Sequence, residues 1–193
     1  CTDFFFTDIN QCISEGRFPD NLKHADIIPV FKKGDPLMKD NYRPISILPT
    51  ISKVYEKLVY QQIYNHFNDI FSKYLCGFRK GFSSQHCLLY MLEKIKRALD
   101  TGMHAGMLLT DLSKAFDSLS HDLLIAKLKA YGFSELALKF IYDYLSRRKQ
   151  RTKLDSHYST WTDIIYGVPQ GSILGVLLFN INLNDLFYFS ENV

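Results

Sequence analysis

The sequence predicts an α+β fold, with helices packed beside a small antiparallel sheet. Three observations carry that expectation. Apolar residues recur at helical spacing in five separate stretches. Three other stretches are read as strands, one of them a hairpin around a short polar turn. No repeat or low-complexity linker divides the 193 residues, so they read as one sizeable domain or part of a larger one. Hydrophobic residues at 47% and charged residues at 22% fit a globular protein. No apolar run reaches the ~20 residues that span a bilayer, the nearest being Ile173 to Phe179, and no membrane role is expected.

Taken in order, Asp26 to Phe31 reads as a strand, and Lys32 to Asn41, with Gly34-Asp35-Pro36, as a turn-rich loop. A helix starts at Pro49-Thr50, with Thr50 as its expected cap. Its buried stripe is expected to be Ile51, Val54, Tyr55, Leu58, Val59, Ile63 and Phe67. A second helix runs from about Ser84 to Asp100, with Leu88, Met91, Leu92, Ile95 and Leu99 facing inward and Gly102 as the stop. Gly106 to Leu109 reads as a strand that ends at Asp111. Ser120 and Ser134 look like caps of two further helices separated by Gly132. The first carries Leu124, Leu128 and Tyr131, the second Leu138, Ile141 and Leu145. Gln150 to Leu154 and Tyr158 to Ile165 alternate like a hairpin around Asp155-Ser156-His157. The last helix, Ser172 to about Leu186, is apolar on most faces and must be buried between other elements.

A net charge of +3 excludes little, so the positions of the bases matter more. Arg147, Arg148, Lys149, Arg151 and Lys153 form one cluster; Lys32, Lys33, Lys39 and Arg43 form another. Such clusters are commonly solvated faces, and a phosphate backbone becomes the better partner only beside other motifs. Cys1, Cys12, Cys76 and Cys87 lack C-x-x-C spacing and a nearby histidine pair, which argues against zinc and for free thiols. The chain opens on Cys1 rather than Met, so the start is read as cut.

Four motifs carry chemistry. Asp111 stands where an apolar stretch surfaces into Asp111-Leu112-Ser113-Lys114-Ala115-Phe116-Asp117, and a carboxylate there suits a Mg²⁺ that also ligates phosphates. The turn through Lys114, Ala115 and Phe116 presents successive backbone N–H groups, a cradle for a triphosphate. Arg43, between Tyr42 and Pro44, is held extended, and its planar fork matches phosphate. Gly167-Val168-Pro169-Gln170-Gly171-Ser172 is a stiffened Gly-Pro-Gly loop that lets backbone approach a ligand. Each has a bland counterpart. A lone Asp is a turn former, Phe116 alone is a core ring, and a basic loop is usually solvated.

Together and in this order, with Ile28-Pro29-Val30-Phe31-Lys32-Lys33-Gly34-Asp35 and Asn41-Tyr42-Arg43-Pro44-Ile45-Ser46, these segments resemble reverse transcriptases of the non-LTR retrotransposon type from about Phe18 to Asp185. The resemblance implies a right-hand polymerase: fingers over about 1–104 and 122–160, and a partial palm over 105–121 and 161–193, with an incomplete antiparallel sheet. It implies RNA-templated DNA synthesis by two-metal nucleotidyl transfer, with Mg²⁺, deoxynucleoside triphosphates, an RNA template and a DNA primer. By resemblance Asp111 is the first catalytic aspartate and the Leu112 carbonyl a second metal ligand. Phe116 excludes a 2′-hydroxyl, and Arg43 with Lys32 or Lys33 clamps the triphosphate. Lys114 and Ala115 lie beside it, while Gln170 and Gly171 meet the nucleotide and template base. Cys76-Gly77-Phe78-Arg79-Lys80 would approach the template.

The family's Ala-Asp-Asp turn does not occur before Val193, so a C-terminal palm and thumb are expected beyond it and the segment alone is expected to be inactive. Val176, where proline is usual, and the asparagines of Phe179 to Asp185 depart from the pattern on helix packing. The competing readings are a non-catalytic nucleic-acid-binding remnant and a group II intron maturase. The family works inside the cell, in nucleus or cytoplasm.

Overall fold

The computed structural model describes residues 2–189; Cys1 and residues 190–193 lie outside them. Its elements are α1 (Thr2–Glu15), β1 (His24–Phe31), β2 (Tyr42–Ile47), α2 (Thr50–Phe67), α3 (Ser84–Asp100), α4 (His121–Ala130), α5 (Glu135–Leu145), β3 (Arg148–Leu154), β4 (His157–Tyr158), β5 (Thr162–Ile164), α6 (Ile173–Asn184) and α7 (Leu186–Phe189). The α+β expectation holds at this level. No helix among the described residues is long and apolar enough to cross a membrane.

The core is helical, and α6 is its centre. Leu174, Leu177, Leu178, Phe179 and Ile181 are buried there against Tyr55, Val59, Ile63 and Phe67 of α2. Leu124 and Leu128 of α4 and Leu138, Phe140, Ile141 and Leu145 of α5 complete it. Burying each such side chain contributes about 1.5–3 kcal/mol. Ser120 and Ser134 cap α4 and α5 as expected, their hydroxyls accepting from the Leu123 and Ala137 amides. The asparagines of α6 have structural work. Asn180 Nδ2 donates to the Gly77 carbonyl at 2.9 Å, and Asn184 Oδ1 accepts from the Ser72 amide at 2.8 Å. They tie the segment after α2 to the central helix.

The sheet is mixed, which corrects the antiparallel expectation. Its order is β2-β1-β3-β4, with β5 also on β3. β1 pairs antiparallel with β2 and parallel with β3. A parallel pair needs a long crossover, and the helices between β2 and β3 supply it. The hairpin forms, but its turn is Asp155-Ser156 alone, with His157 facing Leu154, and the arm read as Tyr158 to Ile165 breaks into β4 and β5. Ala25, Ile27 and Leu48 form a small buried cluster on one face, while Ile28, Val30 and Ile47 of the other face are open.

Four further expectations fail. Pro49, not Thr50, occupies the cap position of α2, and Thr50 is its first helical residue. Ile51, Val54 and Leu58 are exposed, and the buried stripe instead takes in Ser52 and Glu56. None of α3 is buried: Leu88, Leu92 and Leu99 are exposed, because no other described element covers its apolar stripe. The strand from Gly106 to Leu109 is not formed. A strand is held by cross-strand hydrogen bonds, and no described strand lies beside it. Leu108 and Leu109 stand 89% and 79% exposed.

Candidate functional site

Three segments distant in sequence converge on one cleft. The Ser46 amide of β2 donates to the Gln170 carbonyl at 2.8 Å. The same loop is held to the turn after Asp111 by Val168 N–H to the Phe116 carbonyl, 2.8 Å, and Gly167 N–H to the Leu119 carbonyl, 2.7 Å. Gln170 Nε2 donates to Asp117 Oδ1 at 3.2 Å. Lys114 Nζ lies 3.5 Å from Asp40 Oδ1, linking the turn to the loop before β2. The cleft, about 240 Å³, is lined by Ile27, Pro44, Ser46, Asp117, Tyr166 and Gln170 among others.

Two glycines permit this convergence. Gly167 has φ +83°, and a Cβ there would stand 2.6 Å from the Phe116 carbonyl oxygen. Gly171, at φ +127°, would bring a Cβ within 2.7 Å of the Ser46 carbonyl oxygen. The close approach that the sequence assigned to a ligand is an approach to the chain's own backbone.

Beneath the loop sits a residue that motif reading missed. The Glu56 carboxylate, wholly buried on α2, accepts from the Ile173 amide at 2.7 Å and the Leu174 amide at 3.1 Å. A carboxylate at a helix N-terminus satisfies orphan donors and complements the dipole. Its other oxygen accepts from Ser52 Oγ at 3.0 Å. The Ser172 hydroxyl accepts from the Gly175 amide, so the start of α6 is capped twice. Burial, with Glu56 adding to it, pushes the nearby Tyr144 phenol above its ordinary range. The signal was a charged residue within an apolar helical stripe.

The expected site residues fall in different places. Phe116 is half-buried, stacked on Phe179 at 4.5 Å between centroids and edge-on to Phe78 at 6.0 Å. Ala115 packs beside it against the core, and Lys114 adopts φ +52° in the turn. Gln170 and Gly171 hold the loop to β2 and the turn. Arg43 pairs with Val30 in register, which places it on the open sheet face, opposite the face of Ile27 and Ser46 that lines the cleft. Lys32 and Lys33 follow β1 and are exposed. Asp111 and Leu112 are exposed in the irregular 103–112 segment. Of the first basic cluster, Arg148 is 1% exposed and donates to the Tyr144 carbonyl at 3.0 Å, and Arg147 pairs with Asp143 and Asp20. Those two are structural cations.

Among the described residues no group of three or more His, Cys, Asp or Glu could hold a metal. Asp111 and the Leu112 carbonyl offer hard oxygen donors of the type Mg²⁺ takes. They suit an ion that completes its shell with phosphates and water, and do not make a closed protein site.

The chain belongs to the reverse transcriptase family: residues 30–191 match the family model described as reverse transcriptase (RNA-dependent DNA polymerase). Within that family it sides with the enzymes of non-LTR retrotransposons, as its motifs implied. It is 34% identical over 176 residues to the probable RNA-directed DNA polymerase from transposon BS of Drosophila melanogaster, covering 88% of this chain and 19% of that protein. It is 31% identical over 182 residues to the RNA-directed DNA polymerase from mobile element jockey of the same organism, covering 92% and 20%. The chain thus spans about a fifth of these relatives' length. A solved structure, the partial Cas6-RT-Cas1–Cas2 complex, superposes with a TM-score of 0.50 over the whole chain and 30% of that chain. At 21% identity the likeness is one of fold.

Proposed function

We propose that this chain is the nucleotide-binding part of an RNA-directed DNA polymerase, with fingers over about 1–104 and 122–160 and part of the palm over 105–121 and 161–193. The observation that supports this most is the convergence of β2, the 113–119 turn and the Gly167–Ser172 loop through four short hydrogen bonds. Each segment carries one of the family's motifs, and the contacts between them give the cleft a fixed shape. Preorganisation of this kind lets a site bind a nucleotide in one orientation.

In this reading Phe116 is the wall under the sugar. Its ring is braced from behind by Phe179 and from the side by Phe78, so it cannot yield to a 2′-hydroxyl without disturbing α6. Gln170 contacts the nucleotide next to Gly171, and the turn at Lys114 and Ala115 offers amides to the phosphates. Arg43 lies on the far face of the edge strand β2 from the cleft, so as the clamp it would reach the triphosphate around that edge, with Lys32 or Lys33 from the loop after β1. Asp111 and the Leu112 carbonyl hold Mg²⁺, which supplies charge stabilisation to the triphosphate when bound. Further carboxylates are needed for two ions.

The test is primer extension by a polymerase in which this segment is joined to the rest of its relatives' length. Asp111→Ala should abolish extension. Phe116→Ala should admit ribonucleotides, relaxing sugar selectivity by roughly 10- to 1000-fold while deoxynucleotide use persists. Unchanged selectivity would remove Phe116 from that role.

A further inference from the structure

We propose that the open face of the sheet at its β3–β4 edge, built on Arg151, Tyr158 and Trp161, is a stacking platform for single-stranded RNA. The choice of RNA rests on the polymerase reading above, in which the unpaired strand is the template. Of the five bases from Arg147 to Lys153, two are consumed by the fold, and this face shows what the outer ones do.

The Arg151 guanidinium lies 4.0 Å from the Tyr158 ring centroid and 4.6 Å from that of Trp161. Its Nε donates to Asp26 Oδ1 at 2.7 Å, which fixes the cation against β1. Lys153 Nζ stands 5.6 Å from the Tyr158 ring, and the His24 ring 5.2 Å from that of Trp161. Tyr158 and Trp161 remain 47% and 44% exposed. Neither ring serves the core, since Ala25, Ile27 and Leu48 are on the opposite face. Two large rings held open by a cation between them are already ordered for a partner and lose little freedom on binding.

The chemistry selects the partner. Every base has a π-face, so exposed rings interleaved with cations bind single strands irrespective of sequence. Asp26 is committed to Arg151, and Asp163 is 3.8 Å from Lys149. Among the described residues Lys153 has no carboxylate partner, so the edge offers it to a phosphate. Register carries this open face across the sheet to Arg43 on the edge strand β2. Asp26 pairs with Arg151, Ile28 with Ile45 and Val30 with Arg43, so alternation sets all six on one side. From β2 to β4 is three strand spacings, about 14 Å. Four-stranded RNA-binding sheets stack two or three bases across such a span. A strand leaving Arg43 across this face reaches Trp161.

Trp161 is the only tryptophan, so its emission reports on the platform directly. The chain is titrated with dye-labelled oligouridylate RNA of about 20 nucleotides, and with the matching DNA, while anisotropy and tryptophan emission are recorded together. RNA should quench Trp161 with the midpoint seen by anisotropy, at least as tightly as DNA. Trp161→Ala or Tyr158→Ala should weaken binding roughly 5- to 150-fold with unchanged circular dichroism, and Trp161→Phe should retain most of it. Lys153→Gln should flatten the salt dependence by about one phosphate contact. RNA binding with silent Trp161 emission and undiminished affinity in Trp161→Ala overturns the platform and leaves the polymerase reading intact, as primer extension reads that separately. Failure to bind RNA, or a clear preference for DNA, also overturns it.

Discussion

Glu56 shows how one side chain can organise a site it does not touch. Its carboxylate reaches from α2 to the first two amides of α6, and the loop bearing Gln170 and Gly171 precedes them directly. Hydrogen bonds to a charged acceptor contribute about 1.5–3 kcal/mol each, and unpaired buried donors cost about as much. Glu56→Ala should therefore destabilise the chain by roughly 2–4 kcal/mol, read as a lower urea midpoint. Glu56→Gln keeps an oxygen toward α6 and an amide toward Ser52 Oγ, so its cost should be about half that of Ala. Equal losses would show that the charge itself, rather than the acceptor geometry, matters. At Gly167 the constraint is steric as well as conformational. Gly167→Ala should cost at least ~2 kcal/mol, because the neighbour that would have to move is backbone. A near-neutral result would mean that the turn after Asp111 can retreat from the loop.

At the scale of elements, α6 and α3 present opposite cases. Both have apolar stripes, yet only α6 is packed on most sides, by α2 and α4. Leu178→Ala should cost about 2–5 kcal/mol, since the surrounding helices cannot collapse into the cavity. Leu92→Ala should stay within about 0.5 kcal/mol, as expected of an exposed position. Comparable losses at the two positions would place α3 in the core, where its periodicity alone had put it. The segment from Met103 to Leu112 follows the same rule. Its side chains suit a strand, but a strand without a neighbour has unpaired amides and carbonyls, so the sequence signal is not expressed.

For the whole molecule, α3 and the 103–112 segment leave many apolar side chains open. Leu88, Leu89, Leu92 and Leu99 of α3 and Met107, Leu108, Leu109 and Leu112 are all exposed. Surface of that kind drives association, so the chain should self-associate at micromolar concentration in sedimentation velocity; a clean monomer would contradict this. The same state bears on chemistry. Since no cluster of three or more His, Cys, Asp or Glu gathers around Asp111 among the described residues, the 193-residue chain should not extend a primer in magnesium. Extension by this segment alone would overturn the assignment of roles around Asp111.

The sequence by itself determined the helices that bury a stripe, the serine caps, the hairpin at Asp155-Ser156 and the family. Those features rest on local periodicity, on capping chemistry and on motifs whose residues are contiguous. Only the tertiary structure decided the rest. Arg147 and Arg148 read only as members of a five-base cluster, but ion pairing and burial against Tyr144 make them structural, whereas Arg151 in the same run reaches solvent between two rings. Glu56 carried no reading at all and proves to cap a helix whose first amide, that of Ile173, lies 117 residues away. The parallel pairing of β1 with β3 depends on where a long helical crossover returns the chain. In each case the deciding energy lies between residues far apart in sequence, through desolvation, long-range hydrogen bonds or strand partners, and no local pattern encodes which partner arrives.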